Sequence, residues 1–180
     1  MNIKIPAYLH EVFGERQNIL QLAAIFFFGV IFTSILYIYY SNNSYEVASW
    51  RKILAFLIIF DILCGCIANF TKSTSNYYAK DKKKQIIFIL IHVHLLFVGF
   101  LLGTSSLAVT LVWIYTVICS FIVISIKGAN QIFVAGLLLC IGIGVTPMLG
   151  MESYMLIISM LFMIKVVFSF SVDHYQNRIS

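Results

Sequence analysis

Charge is what this chain has least of. Of its 180 residues 11% are Asp, Glu, Lys or Arg, while 61% are hydrophobic; soluble domains carry about 25% charged residues. So few charges cannot cover a water-exposed surface at this length, which argues against an ordinary soluble domain. Familiar reaction signatures are missing too. There is no G-x-S-x-G, H-E-x-x-H, P-loop, dinucleotide fingerprint or haem-attachment motif, so the common hydrolase, zinc-protease and nucleotide-binding chemistries find no support. Proline is limited to Pro6 and Pro147, and the four cysteines, Cys64, Cys66, Cys119 and Cys140, all fall inside apolar runs. They read as small, reduced packing residues. Cys64 and Cys66 are about 200° apart on a helix and cannot converge on one metal.

The apolar residues form six blocks: Ile19–Tyr40, Ile53–Phe70, Gln85–Gly103, Ser106–Ile126, Gln131–Met148 and Ser153–Val172. Each is close to the length that crosses ~30 Å of hydrocarbon as a helix. The runs are continuous, without the period-two alternation of barrel strands. The expectation is an all-α, polytopic bundle of six transmembrane helices in one domain. Pro147 should shorten or kink the fifth span. The first span is too long and aromatic for a signal-peptide core, and Ser41-Asn42-Asn43 is a poor cleavage site, so it is expected to stay as an anchor. Residues 1–17, with Pro6 in a first turn and Tyr8, Leu9, Val12 and Phe13 at helical spacing opposite Glu11, Glu15 and Arg16, read as an interfacial amphipathic helix.

The charges that remain are one-sided. With six spans, Lys4, Arg16, Lys72, Lys80, Lys82, Lys83, Lys84, Lys127 and Arg178 fall on one side and only Arg51 and Lys52 on the other. That places both termini in the cytoplasm, and the short connections suit a bacterial plasma membrane. The Thr71–Lys84 connection is expected as a loop, with Tyr77 and Tyr78 at headgroup level and the Lys80–Lys84 cluster attracting anionic lipid headgroups. Topology and lipid account for the net charge of +5, so nucleic acid is not an expected partner. Gly136, Cys140 and Gly144 recur every four residues in the fifth span, with Gly142 between, a pattern for close helix contact within the bundle or across a homodimer.

Ionisable groups inside the spans are the candidates for function. Asp61, His92, His94 and Lys165 come from three spans, yet all lie about 10–13 Å from the cytoplasmic ends at ~1.5 Å per residue. Cys64, Gly65, Ala68, Asn69 and Lys72 continue the face of Asp61, a small and polar stripe expected to face the interior. His92 shares its face with Gly99 and Gly103. His94, about 200° away on a continuous helix, shares its face with bulky residues. Asp61, His92 and Asn69 are therefore the expected catalytic groups, with Thr71, Lys72 and Lys165 as substrate or headgroup contacts. For Lys165, snorkelling or local pairing, in which Asp173 could replace Asp61, is favoured over a catalytic role; a charge pairing with Asp61 belongs to the transporter and structural readings. No metal site is assigned, since a metal variant would need a third ligand, for which the sequence offers only His94, Asp173 or His174, and the cofactor is left open. The leading functional expectation is a small membrane-embedded enzyme using acid–base chemistry on a lipid-like substrate at the cytoplasmic leaflet. The alternatives are a proton-coupled small-solute transporter and a non-catalytic membrane component.

Overall fold

A computed structural model describes residues 2–42, 47–104 and 106–175. Asn43 of the cleavage-site reading and Arg178 of the charge count lie outside the described residues. The chain is nearly all helical, 81%. After a two-stranded hairpin, β1 (Asn2–Lys4) and β2 (Arg16–Asn18), which encloses α1 (His10–Phe13), the helices are α2 (Ile19–Asn42), α3 (Ser49–Ala68), α4 (Lys72–Ala79) and α5 (Lys82–Ile91). They continue as α6 (His94–Leu102), α7 (Ser106–Ser125), α8 (Ala129–Val145) and α9 (Ser153–Met163), the last prolonged by a π-helical segment, Ile164–Phe170. Among the described residues, five helical runs are long and apolar enough to cross a membrane. A sixth qualifies if α3 and α4, bent by 89° at Thr71, count as one span. This supports a helical membrane bundle of five to six spans.

The core forms where α3, α6, α7 and α9 meet. Ile59, Ile62, Leu95, Val98, Ile158 and Phe162 are buried there. At one end Tyr40 and Tyr154 meet edge-on at 5.0 Å, a geometry that suits the ring quadrupoles. Arg51 donates to the Phe100 carbonyl on the same side.

Four sequence expectations change. The Thr71–Lys84 connection is helical, not a loop, because two side chains cap helix starts. Thr71 Oγ1 accepts from the Thr74 amide at 3.4 Å, and Asp81 Oδ1 accepts from the Lys83 and Lys84 amides at 3.0 and 3.2 Å. The third span is interrupted at His92–Val93, where His92 has a non-helical ψ of 56°. The N-terminal helix is confined to Ala7–Phe13, a 3₁₀ turn followed by α1, inside the hairpin. Within the chain, the fifth span makes its close contact through Gly142, against Tyr115 and Met163, whereas Gly136 and Gly144 face open space. Pro147 behaves as expected: α8 ends at Val145 and a 3₁₀ turn follows.

The hairpin is fastened to α4. Gln17, 1% exposed, donates to Phe13 O at 2.8 Å and Thr71 Oγ1 at 2.7 Å, and Tyr78 Oη donates to Glu11 O at 2.8 Å. Gly14 ends α1 at φ 70°, ψ −168°, a region almost confined to glycine. A Cβ there would lie 2.5 Å from the Ser73 carbonyl carbon. Gly14→Ala should destabilise the protein by more than about 1 kcal/mol and raise hydrogen exchange across residues 2–18. Unchanged exchange would disprove the fastening.

Beyond the last span, His174 packs on Phe70 and Phe168 at 5.1 and 5.6 Å, with Nε2 3.1 Å from Phe168 O. Burial pushes its imidazole below the usual histidine range, opposed by the Phe168 and Ser169 carbonyls and by Asp173. A folded-state pKa below the unfolded one means the unfolded chain binds more protons. This contribution to stability is therefore complete above the unfolded pKa of about 6.5 and lost as pH falls below it. In thermal unfolding scans His174→Phe should lose part of the wild-type acid sensitivity; identical slopes would contradict this.

Candidate functional site

Asp61, Gly65 and Asn69 recur at intervals of four along α3 and so share one face. Asp61 and Lys165 form an ion pair, Nζ to Oδ2 at 2.9 Å, with a longer contact to the Asp61 carbonyl at 3.4 Å. The lysine side chain is 4% exposed and the aspartate 50%. Lys165 therefore neither snorkels to the surface nor pairs with Asp173, whose Oδ1 accepts from the Tyr175 amide.

Two local features bring the ammonium to α3. The chain from Ile164 is π-helical, so its side chains depart from the azimuths of a 3.6-residue helix. One turn on, Ser169 Oγ donates to Cys66 O at 2.7 Å and holds this segment against α3. Gly65 supplies the room. A Cβ at Gly65 would stand 2.4 Å from Lys165 Cε and 2.7 Å from Nζ.

The helix break sets both histidines. His92 Nδ1 lies 2.6 Å from Phe88 O, and its ring stacks on Phe88 at 3.8 Å. The Trp113 indole N–H donates to the His92 carbonyl at 3.0 Å, satisfying an acceptor freed by the break. Because the helix is interrupted, His94 is not carried to the far side. Its ring meets His92 edge-on at 5.0 Å, and the expectation that the two side chains point about 200° apart is corrected. Asp61 forms its ion pair with Lys165, while His92 Nδ1 is directed to the backbone of its own helix.

These groups line one cavity of about 150 Å³. From α3 come Asp61, Gly65 and Asn69; from α5 and the break come Phe88, Ile91 and His92; His94 and Lys165 complete the interior. Glu11 and Val12 of α1 and Tyr78 of α4 add to the lining. Asn69 Nδ2 and His94 Nδ1 are buried without a hydrogen-bond partner among the described residues. Buried polar atoms are rarely left so.

No protein-family model matches the chain, and no curated protein or solved structure is significantly similar to it. Any functional assignment therefore rests on this geometry.

Of the six residues singled out in the sequence, Asp61, Asn69, His92 and Lys165 line the cavity. Thr71 does not. It is buried as the α4 cap and engaged by Ala68, Thr74 and Gln17. Lys72, carried away by the 89° bend, lines a separate groove. Sequence reasoning missed Glu11 as a lining residue and placed Tyr78 at headgroup level, whereas it is buried. The helical spacing of residues 7–13 placed Glu11 on the polar face, but no sequence signal said that this face meets α4. Among the described residues no group of three or more His, Cys, Asp or Glu could hold a metal ion.

Removing one partner of a buried pair strands the other charge, at about 3–5 kcal/mol, whereas replacing both is often neutral. Half-exposure of Asp61 reduces that figure through solvent screening. Asp61→Leu should lower thermal stability in detergent by about 2 kcal/mol, and adding Lys165→Met should recover most of it. A double variant no more stable than the single one would show that the pair does not hold the bundle.

Proposed function

We propose that this protein is a membrane-embedded enzyme that takes the polar head of a neutral, hydroxyl-bearing lipid into the Asp61–Lys165 cavity and acts on it by acid–base chemistry. The observation that carries this reading is convergence: Asp61, Asn69, His92, His94 and Lys165, drawn from separate helical elements, line one cavity. Charge sets the substrate class. Asp61 and Lys165 offset one another and Glu11 adds a negative charge at the rim, so an anionic head is disfavoured. A hydroxyl can accept from Asn69 Nδ2 or Lys165 and donate to Asp61 or a histidine nitrogen.

With Nδ1 donating to Phe88 O, His92 is held in the tautomer whose Nε2 accepts a proton. In the proposed reaction His92 Nε2 receives the hydroxyl proton, while Lys165 and Asn69 stabilise the oxygen as negative charge develops on it. Asp61, paired with Lys165, orients the hydroxyl.

Two observations favour an enzyme over the alternatives. The lining draws on α1 and α4 and on no residue near the opposite helix ends, which a transport path would need. Asp61 is half exposed to a cavity, whereas a purely structural carboxylate would be sealed between helices. The reading includes the basic side facing the cytoplasm, in keeping with the excess of Lys and Arg there. The outward-facing Gly136 and Gly144 of α8 favour a homodimer seam as part of the same proposal.

The test is to incubate purified protein in nanodiscs containing a bacterial lipid extract and follow every lipid by mass spectrometry. Wild type should convert a hydroxyl-bearing lipid. His92→Ala should slow that conversion by about 10²-fold or more, with the fold retained by circular dichroism. Proton flux in proteoliposomes that is lost in Asp61→Asn, with no lipid altered, would replace the enzyme reading with transport.

A further inference from the structure

We infer that a second site, the groove between the N-terminal hairpin and α4, binds the phosphodiester of an anionic phospholipid. The groove is distinct from the Asp61 cavity and encloses about 320 Å³. One face is built by α4, where Lys72, Asn76 and Lys80 recur at intervals of four and so stand in a row. Arg16 from β2 and Gln21 from the first turn of α2 supply the other. Three cations line it against one carboxylate, Glu15.

None of the three cationic side chains forms an ion pair or hydrogen bond with another described residue. Arg16 instead meets α4 through its backbone, its amide donating to Ser73 Oγ at 3.1 Å. Among the described residues the guanidinium is therefore without a partner, and it lines the same groove as the two lysines. A forked guanidinium with flanking point charges is the donor set that suits phosphate oxygens.

The placement favours a lipid over a soluble phosphate. Gln21 lies in the opening turn of α2, and its neighbours Ile19 and Leu20 are 40% and 78% exposed. A phosphodiester in the groove would have apolar surface directly beside it for the acyl chains. The basic cluster thereby divides. Lys80 joins the groove. Lys84 turns to Tyr77, donating to its hydroxyl at 3.0 Å and lying 4.2 Å from the ring centroid. Lys82 and Lys83 are exposed and contribute nothing to the lining.

The experiment is native mass spectrometry of the intact protein in mild detergent, offered phosphatidylglycerol and phosphatidylcholine in equal amounts. Phosphatidylglycerol should be retained in preference. The triple variant Arg16→Gln, Lys72→Gln, Lys80→Gln should weaken its binding by about tenfold or more, given about fivefold per charge at a membrane surface. The control Lys82→Gln, Lys83→Gln removes two charges outside the groove and should stay within about twofold of wild type. Both variants are first matched to wild type in thermal unfolding without added lipid, so that misfolding is not read as lost binding. No preference for phosphatidylglycerol, or an equal loss in both variants, overturns the site. Displacement by inorganic phosphate as effective as by the lipid overturns the lipid and leaves a soluble phosphate ligand. None of these outcomes bears on the enzyme reading, since the groove shares no lining residue with the Asp61 cavity.

Discussion

An ammonium group enclosed by helices, with one carboxylate 2.9 Å away, sets the terms for the rest of this bundle. A lone charge in that environment costs several kcal/mol, so Lys165 can be buried only where a partner is guaranteed. Three otherwise separate features serve that requirement. Gly65 leaves the space the lysine stem crosses. The π-helical turn changes the direction in which Lys165 leaves its helix. Ser169, bonded to the Cys66 carbonyl, keeps that turn against α3. The pair is asymmetric, with lysine buried and aspartate half exposed, so the carboxylate serves the bundle on one side and the cavity on the other.

The broken third span answers a related need. An uninterrupted helix would send His92 and His94 to opposite faces. Interrupting it forfeits backbone hydrogen bonds, and the loss is offset by neighbours, as irregular backbone at membrane depth requires. Trp113 bonds the His92 carbonyl and the His92 ring bonds Phe88 O. Both histidines then line one cavity, beside a stack in which Phe88 also meets Phe170 at 3.6 Å. The N-terminal hairpin adds to the lining. Held by Gln17 and Tyr78, it brings Glu11 and Val12 to the cavity, so residues that look like a surface anchor in the sequence border the site.

Legibility was uneven for physical reasons. Spans are written in the length of apolar runs, so Ser106–Ile126 differs from the observed helix by one residue at its end. A common layer for Asp61, His92 and Lys165 could be read from depth, which needs only the rise per residue. Azimuth could not. It rests on an unbroken 3.6-residue period, and the break at His92 and the π-helical turn at Lys165 both violate that period without a proline or glycine to announce it. The caps Thr71 and Asp81 were present as residue types, but a run rich in lysine and serine reads as a loop until the capping hydrogen bonds are seen.

By itself, the sequence determined that this is a helical chain apolar enough for a membrane, with a few ionisable residues inside its apolar runs. Scarcity of charge and the bilayer's length requirement leave little else open. Tertiary structure decided the partnerships: Lys165 for Asp61 in place of Asp173, both histidines in one cavity, Glu11 at its rim, and Lys72 turned into a different groove. Those outcomes depend on where helices break, bend and widen. Such choices are made by contacts between segments distant along the chain, as when Ser169 meets Cys66 or Gln17 meets Thr71, and no local pattern encodes them.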